Sequence, residues 1–170
     1  LLPIVHSFAC FLSSRPNEQI YNNATEHTKI IYVGSLAGLL PGGPGHSHQS
    51  VRDISILSSI PGFTLIQPCN EVETRQAIQL AVQENSQSTY IRLVSIPCET
   101  PFPLPQSYSL PFGVGVSLTE GDETVLFAYG PVMLAEAYRA AEILARQQSL
   151  EVQVINQPWL NQLDEDWLQE

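Results

Sequence analysis

Apolar residues along the chain follow two rhythms in turn. Short β-branched runs alternate with stretches where an apolar residue returns every third or fourth position, which predicts strands and helices in alternation. Residues 1–7 read as a buried strand. Residues 8–22 carry helical spacing at Phe8, Phe11, Leu12 and Ile20, interrupted by Pro16, which should kink or restart the helix. Residues 29–34 form a short β-branched strand, and residues 49–60 place Val51, Ile54, Leu57 and Ile60 on one helical face. Residues 63–66 are a further strand. Asn70 then suits an N-cap, with Glu73 three residues on as its capping-box partner, and the helix runs to about residue 82. Residues 89–94 complete this half as a strand.

Residues 97–111 hold five prolines, at 97, 101, 103, 105 and 111. Such a segment is stiff, extended and unable to join a central sheet, so it reads as a linker between domains. After it come a strand over 114–118, a Glu-Gly-Asp turn at 120–122, a strand over 124–128, a helix over 132–148 and a strand over 152–155. Gly121 suits a hairpin turn there. The expected fold class is α/β: a mostly parallel sheet flanked by helices, a Pro-rich linker, then part of a second α/β domain. The boundaries are 1–96, 97–111 and 112–170.

Charge narrows the function. The net charge is −10, with 17 acidic residues against 7 basic ones. Residues 120–170 hold 10 of the acids and 2 of the bases, and the whole chain has one Lys. That composition argues against nucleic acid or an anionic membrane as a partner. No apolar run approaches the roughly 20 residues of a membrane span, and the first twelve residues lack a basic leader. Cys10, Cys69 and Cys98 are odd in number and widely spaced, which argues against a disulfide framework or a zinc site. They read as buried reduced thiols of a cytoplasmic protein.

The chemistry concentrates in the loop Gly42-Gly43-Pro44-Gly45-His46-Ser47-His48-Gln49. Glycine permits close backbone approach, and two histidines can move protons near neutral pH. His46 and His48 lack a third ligand of suitable spacing, so no metal site is expected. Phe8 and Phe11, one helical turn apart, are either core residues or the face of a ring-binding site. His6 reads as a satisfied core histidine or as a group reaching the site from a strand end, and His27 as a solvent-facing one. Arg92 is either a substrate contact or half of an ion pair.

The chain resembles the transketolase-like family of thiamine diphosphate enzymes. The resemblance is carried by Ser7-Phe8-Ala9-Cys10-Phe11-Leu12, Glu18-Gln19-Ile20, Val33-Gly34-Ser35 with Ala37-Gly38-Leu39, Gly45-His46-Ser47-His48-Gln49 and Asp53-Ile54. It continues in Ile60-Pro61-Gly62, Pro68, Val72-Glu73-Thr74-Arg75 and Tyr90-Ile91-Arg92-Leu93. Beyond the linker, Phe112-Gly113-Val114-Gly115 and Glu120-Gly121-Asp122 are similar to the start of that family's C-terminal domain. It implies an N-terminally incomplete pyrimidine-binding domain followed by the start of the C-terminal domain.

The chemistry implied is carried by thiamine diphosphate, which takes a two-carbon ketol unit from a ketose or 2-oxo acid to an acceptor. The resemblance places Phe8 and Phe11 against the aminopyrimidine and His48 at the substrate as a proton carrier. His46 stands where relatives usually carry Pro and is either a second substrate contact or a loop residue, and Arg92 is a candidate substrate contact in place of the family's arginine or half of an ion pair. Two required parts match nothing here: the activating glutamate, expected upstream of residue 1, and the Gly-Asp-Gly motif followed by Asn. That motif holds the diphosphate through Mg2+ or Ca2+ on a domain absent from this chain. The chain alone is therefore expected to be inactive and to need a diphosphate-binding domain or subunit, in a homodimer or heterotetramer. Two departures bear on substrate. Pro44 stands where relatives carry an Asp that contacts a sugar hydroxyl, and Ser95 where they carry a phosphate-gripping Arg. Two alternatives share the fold: a beta-subunit-like part of a 2-oxoacid dehydrogenase, and a non-catalytic assembly module.

Overall fold

The computed structural model describes residues 1–169. Its first half is a four-stranded, all-parallel sheet built from β1 (Ile4–Phe8), β2 (Ile31–Ser35), β3 (Thr64–Ile66) and β4 (Thr89–Arg92), in the order β1-β2-β4-β3. Parallel strands require crossovers. These are α1 (Ala9–Ser14) with α2 (Asn17–Thr25), α3 (Asp53–Ser58), and α4 (Glu71–Gln79), which continues into a π-helical turn at Leu80–Glu84. Pro16 separates α1 from α2, and its carbonyl accepts the Ile20 N–H at 2.8 Å to start the new helix. The core packs Leu57, Phe63, Leu65, Tyr90 and Ile20, all at most 1% exposed, between sheet and helices.

Three expectations need correction here. β1 is an edge strand and is not buried: Ile4 is 60% and Val5 40% exposed, because among the described residues no strand pairs on its outer side. The helix expected over 49–60 is only the six residues of α3, because residues 49–52 are drawn into the preceding loop by Gln49 and Ser50. Of the cysteines, only Cys69 is buried; Cys10 and Cys98 are partly exposed, and all three are free.

The second half contains β5 (Val116–Ser117), β6 (Thr124–Ala128), α5 (Pro131–Gln148), β7 (Val152–Asn156) and α6 (Glu165–Gln169). The sheet order is β5-β7-β6, with β6 parallel and β5 antiparallel to β7. The hairpin expected at Gly121 therefore does not form, since β7 lies between its two arms. Gly121 serves close packing instead: a Cβ there would lie 2.6 Å from the Gln153 nitrogen.

The proline-rich segment is extended and outside both sheets, yet it is packed. Phe102 and Leu110 are buried, and Tyr108 bonds the carboxylate of Glu73. Glu73 joins the halves. Asn70 caps α4 by accepting the Glu73 N–H at 2.9 Å. The Glu73 carboxylate reaches past the cap to the Cys69 N–H at 2.6 Å and accepts from Asn156 Nδ2 at 2.8 Å. Fully buried, this carboxylate is stabilised by three donors from three segments. Nearby, residues 157–161 lie along β3. Gln67 N donates to Pro158 O at 2.8 Å, Leu160 N to Leu65 O at 2.9 Å, and Asn161 Oδ1 accepts from Leu65 N. Trp159 fills the seam beside Ile66, Ala77, Leu80 and Leu110.

Candidate active site

In open parallel sheets, ligands collect at the carboxyl ends of the strands. β1 ends at Phe8, and α1 starts at the next residue, so Phe8 and Phe11 sit one turn apart on a common face. β2 ends at Ser35, and the glycine-rich loop leaves from there. Its base is closed by paired bonds between Gly38 and Ser50, each 3.0 Å, and by Gln49 Nε2 donating to Leu39 O at 2.9 Å. Inside the loop, Gly45 adopts φ +74°, a conformation that disfavours a side chain, and its carbonyl accepts the N–H of His48 at 3.0 Å. A closed base and one obligatory turn deliver His48 back toward α1.

The result is a ring cluster. The centroids of Phe8 and His48 are 6.0 Å apart, those of Phe11 and His48 5.1 Å, and those of Phe8 and Phe11 6.0 Å, all in tilted or edge-on arrangements. Phe8 is 41% exposed, a large apolar face left open to solvent at the strand end. His48 Nδ1 shares a hydrogen bond of 2.9 Å with Ser47 Oγ. The guanidinium of Arg15 lies 4.0 Å from the centroid of the Phe11 ring, a cation–π contact. A cleft of about 430 Å³ adjoins the cluster, lined by Phe11, Arg15, His46, Ser47, Ser50 and Arg52 among others.

The structure thus brings Phe8, Phe11 and His48 together and leaves His46 exposed on the cleft wall. It does not bring Arg92 there. Arg92 is 7% exposed and is held by Asp53, Nε to Oδ2 at 2.8 Å, with Nη1 donating to Gln67 Oε1 and Nη2 to the Ser50 carbonyl. Tyr90 OH donates to the same Asp53 oxygen at 2.8 Å; burial first, and then the Asp53 charge, pushes this phenol above its usual range. Gly34 is required beneath it, because a Cβ would fall 2.6 Å from the Tyr90 ring. The ion-pair alternative for Arg92 was open in the sequence, but its partner lies 39 residues away. Ser95, where the phosphate-gripping Arg was expected, accepts the Leu36 N–H at 2.9 Å and pins the start of the loop. His6 is exposed, not a core residue, and bonds Ser35 Oγ at 3.0 Å; His27 is exposed, as expected. Among the described residues, no group of three metal-ligating side chains occurs, and no helix is long and apolar enough to cross a membrane.

The fold agrees with the comparisons to known proteins. The family model for the transketolase pyrimidine-binding domain matches residues 1–95, and the chain belongs to that family. It is 30% identical over 169 residues to a 1-deoxy-D-xylulose-5-phosphate synthase of Synechococcus sp. (strain WH7803), covering 99% of this chain and 26% of that protein. It is 31% identical over 166 residues to the 6-deoxy-6-sulfo-D-fructose transketolase subunit SqwH of Clostridium sp. (strain MSTE9), covering 97% of this chain and 50% of that one. The chain therefore spans between a quarter and a half of these relatives. Among solved structures, transketolase from Leishmania mexicana superposes with a TM-score of 0.82 at 24% identity, over 99% of this chain and 25% of that one. A split-gene transketolase, described as an inactive beta4 tetramer, gives 0.77 at 24% identity over 92% and 49%.

Proposed function

We propose that this chain supplies the pyrimidine-binding part of a thiamine diphosphate site in a transketolase-like transferase that moves a two-carbon ketol unit. One observation carries the reading: Phe8, Phe11 and His48 converge within 5.1 to 6.0 Å at the ends of two parallel strands, with Phe8 left open. The residues fit the group. A flat aminopyrimidine gains stacking and water exclusion from the part of the Phe8 ring that is left exposed. When bound, thiamine diphosphate supplies the nucleophilic carbon that breaks the carbon–carbon bond. Phe8 and Phe11 hold and dehydrate its ring. His48 serves as the proton carrier: with the Ser47 hydroxyl donating to Nδ1, Nε2 bears the proton and can donate a hydrogen bond to a substrate oxygen, and the ring that has taken up a proton can hand it on and return to neutral imidazole. In the opposite tautomer, Nε2 accepts one.

Diphosphate and metal fall to another domain or subunit. The names of two similar proteins, a transketolase subunit and a split-gene transketolase, support an enzyme assembled from separate pieces. One relative's name, a 6-deoxy-6-sulfo-D-fructose transketolase subunit, supports a ketose as the substrate. Three free cysteines support a cytoplasmic location. The test is thiamine diphosphate binding and turnover with the partner supplied. Phe8→Ala should lower cofactor affinity about tenfold, the loss of one aromatic contact. His48→Ala should keep affinity and lower turnover about 10²- to 10⁴-fold. Unchanged affinity in Phe8→Ala would remove the ring-holding role, and a cofactor-free, inactive assembly would favour the non-catalytic module.

A further inference from the structure

The three free cysteines have different surroundings. Cys69 is buried, accepts a hydrogen bond from Asn156 Nδ2 at 3.7 Å and donates its backbone N–H to the Glu73 carboxylate; burial first, and then that charge, pushes its thiol well above the usual range. The Cys98 thiol donates to the Ile96 carbonyl at 3.5 Å, and burial pushes it up as well. Neither setting favours a thiolate, the form in which sulfur is a nucleophile. Cys10 differs from both. It is partly exposed and lines the cleft of about 430 Å³ beside the ring cluster. Its carbonyl accepts the Ser14 hydroxyl, but among the described residues its thiol has no hydrogen-bond partner. Arg15, Arg52 and His46 line the same cleft. Among the described residues neither of these arginines pairs with a carboxylate, and the acid on the wall, Asp53, is answered by Arg92 and Tyr90. A partly exposed thiol among cationic side chains is the setting that stabilises a thiolate.

A second observation is independent of the cysteine. Ser50 lines the cleft, is 2% exposed, and its Oγ has no hydrogen-bond partner. A buried hydroxyl is ordinarily satisfied. The Ser50 backbone is held by paired bonds to Gly38 and by Arg92 at the carbonyl, so the hydroxyl is a donor on a rigid support, open to an oxygen that enters the cleft.

We propose that Cys10 is a peroxide-reactive thiol, and that its oxidation, followed by capping with a low-molecular-mass thiol, reversibly switches off the neighbouring site. In the first step the sulfur attacks one peroxide oxygen. An S–O bond forms as the O–O bond breaks, and the departing hydroxide leaves as water with the thiol proton. Sulfur is oxidised and the peroxide is reduced. In the second step the low-molecular-mass thiol attacks the sulfenic sulfur, an S–S bond forms, and the sulfenic oxygen leaves as water. Between the steps, the Ser50 hydroxyl is a donor for the sulfenic oxygen. The effect on activity rests on reading the rings as the cofactor site. Cys10 lies between Phe8 and Phe11 in the first turn of α1, so a bulky adduct on it crowds both rings.

The test treats the assembled protein with hydrogen peroxide and then glutathione, and follows adducts by peptide mass spectrometry alongside turnover. Cys10 should be modified at least about tenfold faster than Cys69 or Cys98, because its thiol is exposed and faces cations. Turnover should fall in step with that adduct and return on adding dithiothreitol. Cys10→Ser and Cys10→Ala should keep their turnover through the same treatment, whereas Cys98→Ser should lose it as the parent protein does. Arg52→Gln should slow the modification of Cys10 about threefold or more, since the thiolate loses a neighbouring cation. Modification of Cys10 no faster than that of Cys98 overturns the proposal. So does peroxide inactivation that persists in both Cys10 variants, or a fully modified Cys10 with turnover intact. Preferential modification of Cys10 in an assembly that binds no thiamine diphosphate supports the reactive thiol and overturns the cofactor reading instead.

Discussion

The two edges of the first sheet are treated in opposite ways. At the β3 edge, residues 157–161 lie alongside and bond it, Trp159 fills the seam, and Glu73 ties three segments together beneath it. At the β1 edge no strand of the described residues pairs, and Ile4, Val5 and Phe8 face solvent. An unpaired parallel edge with an apolar flank is a liability that folded proteins normally cover. The contrast separates two kinds of edge: one is finished within the chain, whereas the other carries the ring cluster and leaves apolar side chains exposed.

Breaking the finished edge should have the largest effect. Glu73→Ala leaves donors from Cys69, Tyr108 and Asn156 unanswered in the interior, and should cost about 3–5 kcal/mol in urea denaturation. Glu73→Gln should recover part of that, since it keeps an acceptor and the volume. A full recovery would mean that the charge contributes nothing to this junction.

High pH should attack the same junction. Burial, reinforced by the negative charge of Glu73, pushes the Tyr108 phenol above its usual range, and Tyr90 is raised likewise beside Asp53. In the unfolded chain a phenol ionises near pH 10, about its reference value. Above that pH the unfolded state binds fewer protons than the native state, so stability is complete below about pH 10 and falls as pH rises beyond it. Denaturant midpoints from pH 8 to 11 should show this decline, and Tyr108→Phe should reduce its slope. A flat profile contradicts the burial of these phenols.

The open edge should give the smallest change in stability. Ile4→Lys, at an exposed position, should move the stability of the chain by no more than about 0.5 kcal/mol. The same change should weaken assembly with the partner, read by sedimentation. A large loss of stability would show that the edge is already covered within the chain.

The sequence made the strands and helices legible because each half-buried face keeps its own period. Pro16 and Asn70 acted as punctuation that local chemistry enforces. What it could not show was pairing over distance. Gly121 looked like a hairpin turn until β7 was seen between the arms, and the prolines looked like a spacer until Phe102 and Leu110 were seen inside. The site divides in the same way. Phe8, Phe11 and His48 were legible as a motif, since strand end, first helical turn and glycine loop are local features. The fate of Arg92 was settled by Asp53, 39 residues away.

The most direct test is a crystal structure of the assembled protein with thiamine diphosphate bound. The aminopyrimidine should lie in van der Waals contact with the exposed face of Phe8, with His48 directed at the reacting end of the crevice. A cofactor ring seated away from Phe8, or a crevice filled by a partner side chain in its place, would contradict the assignment.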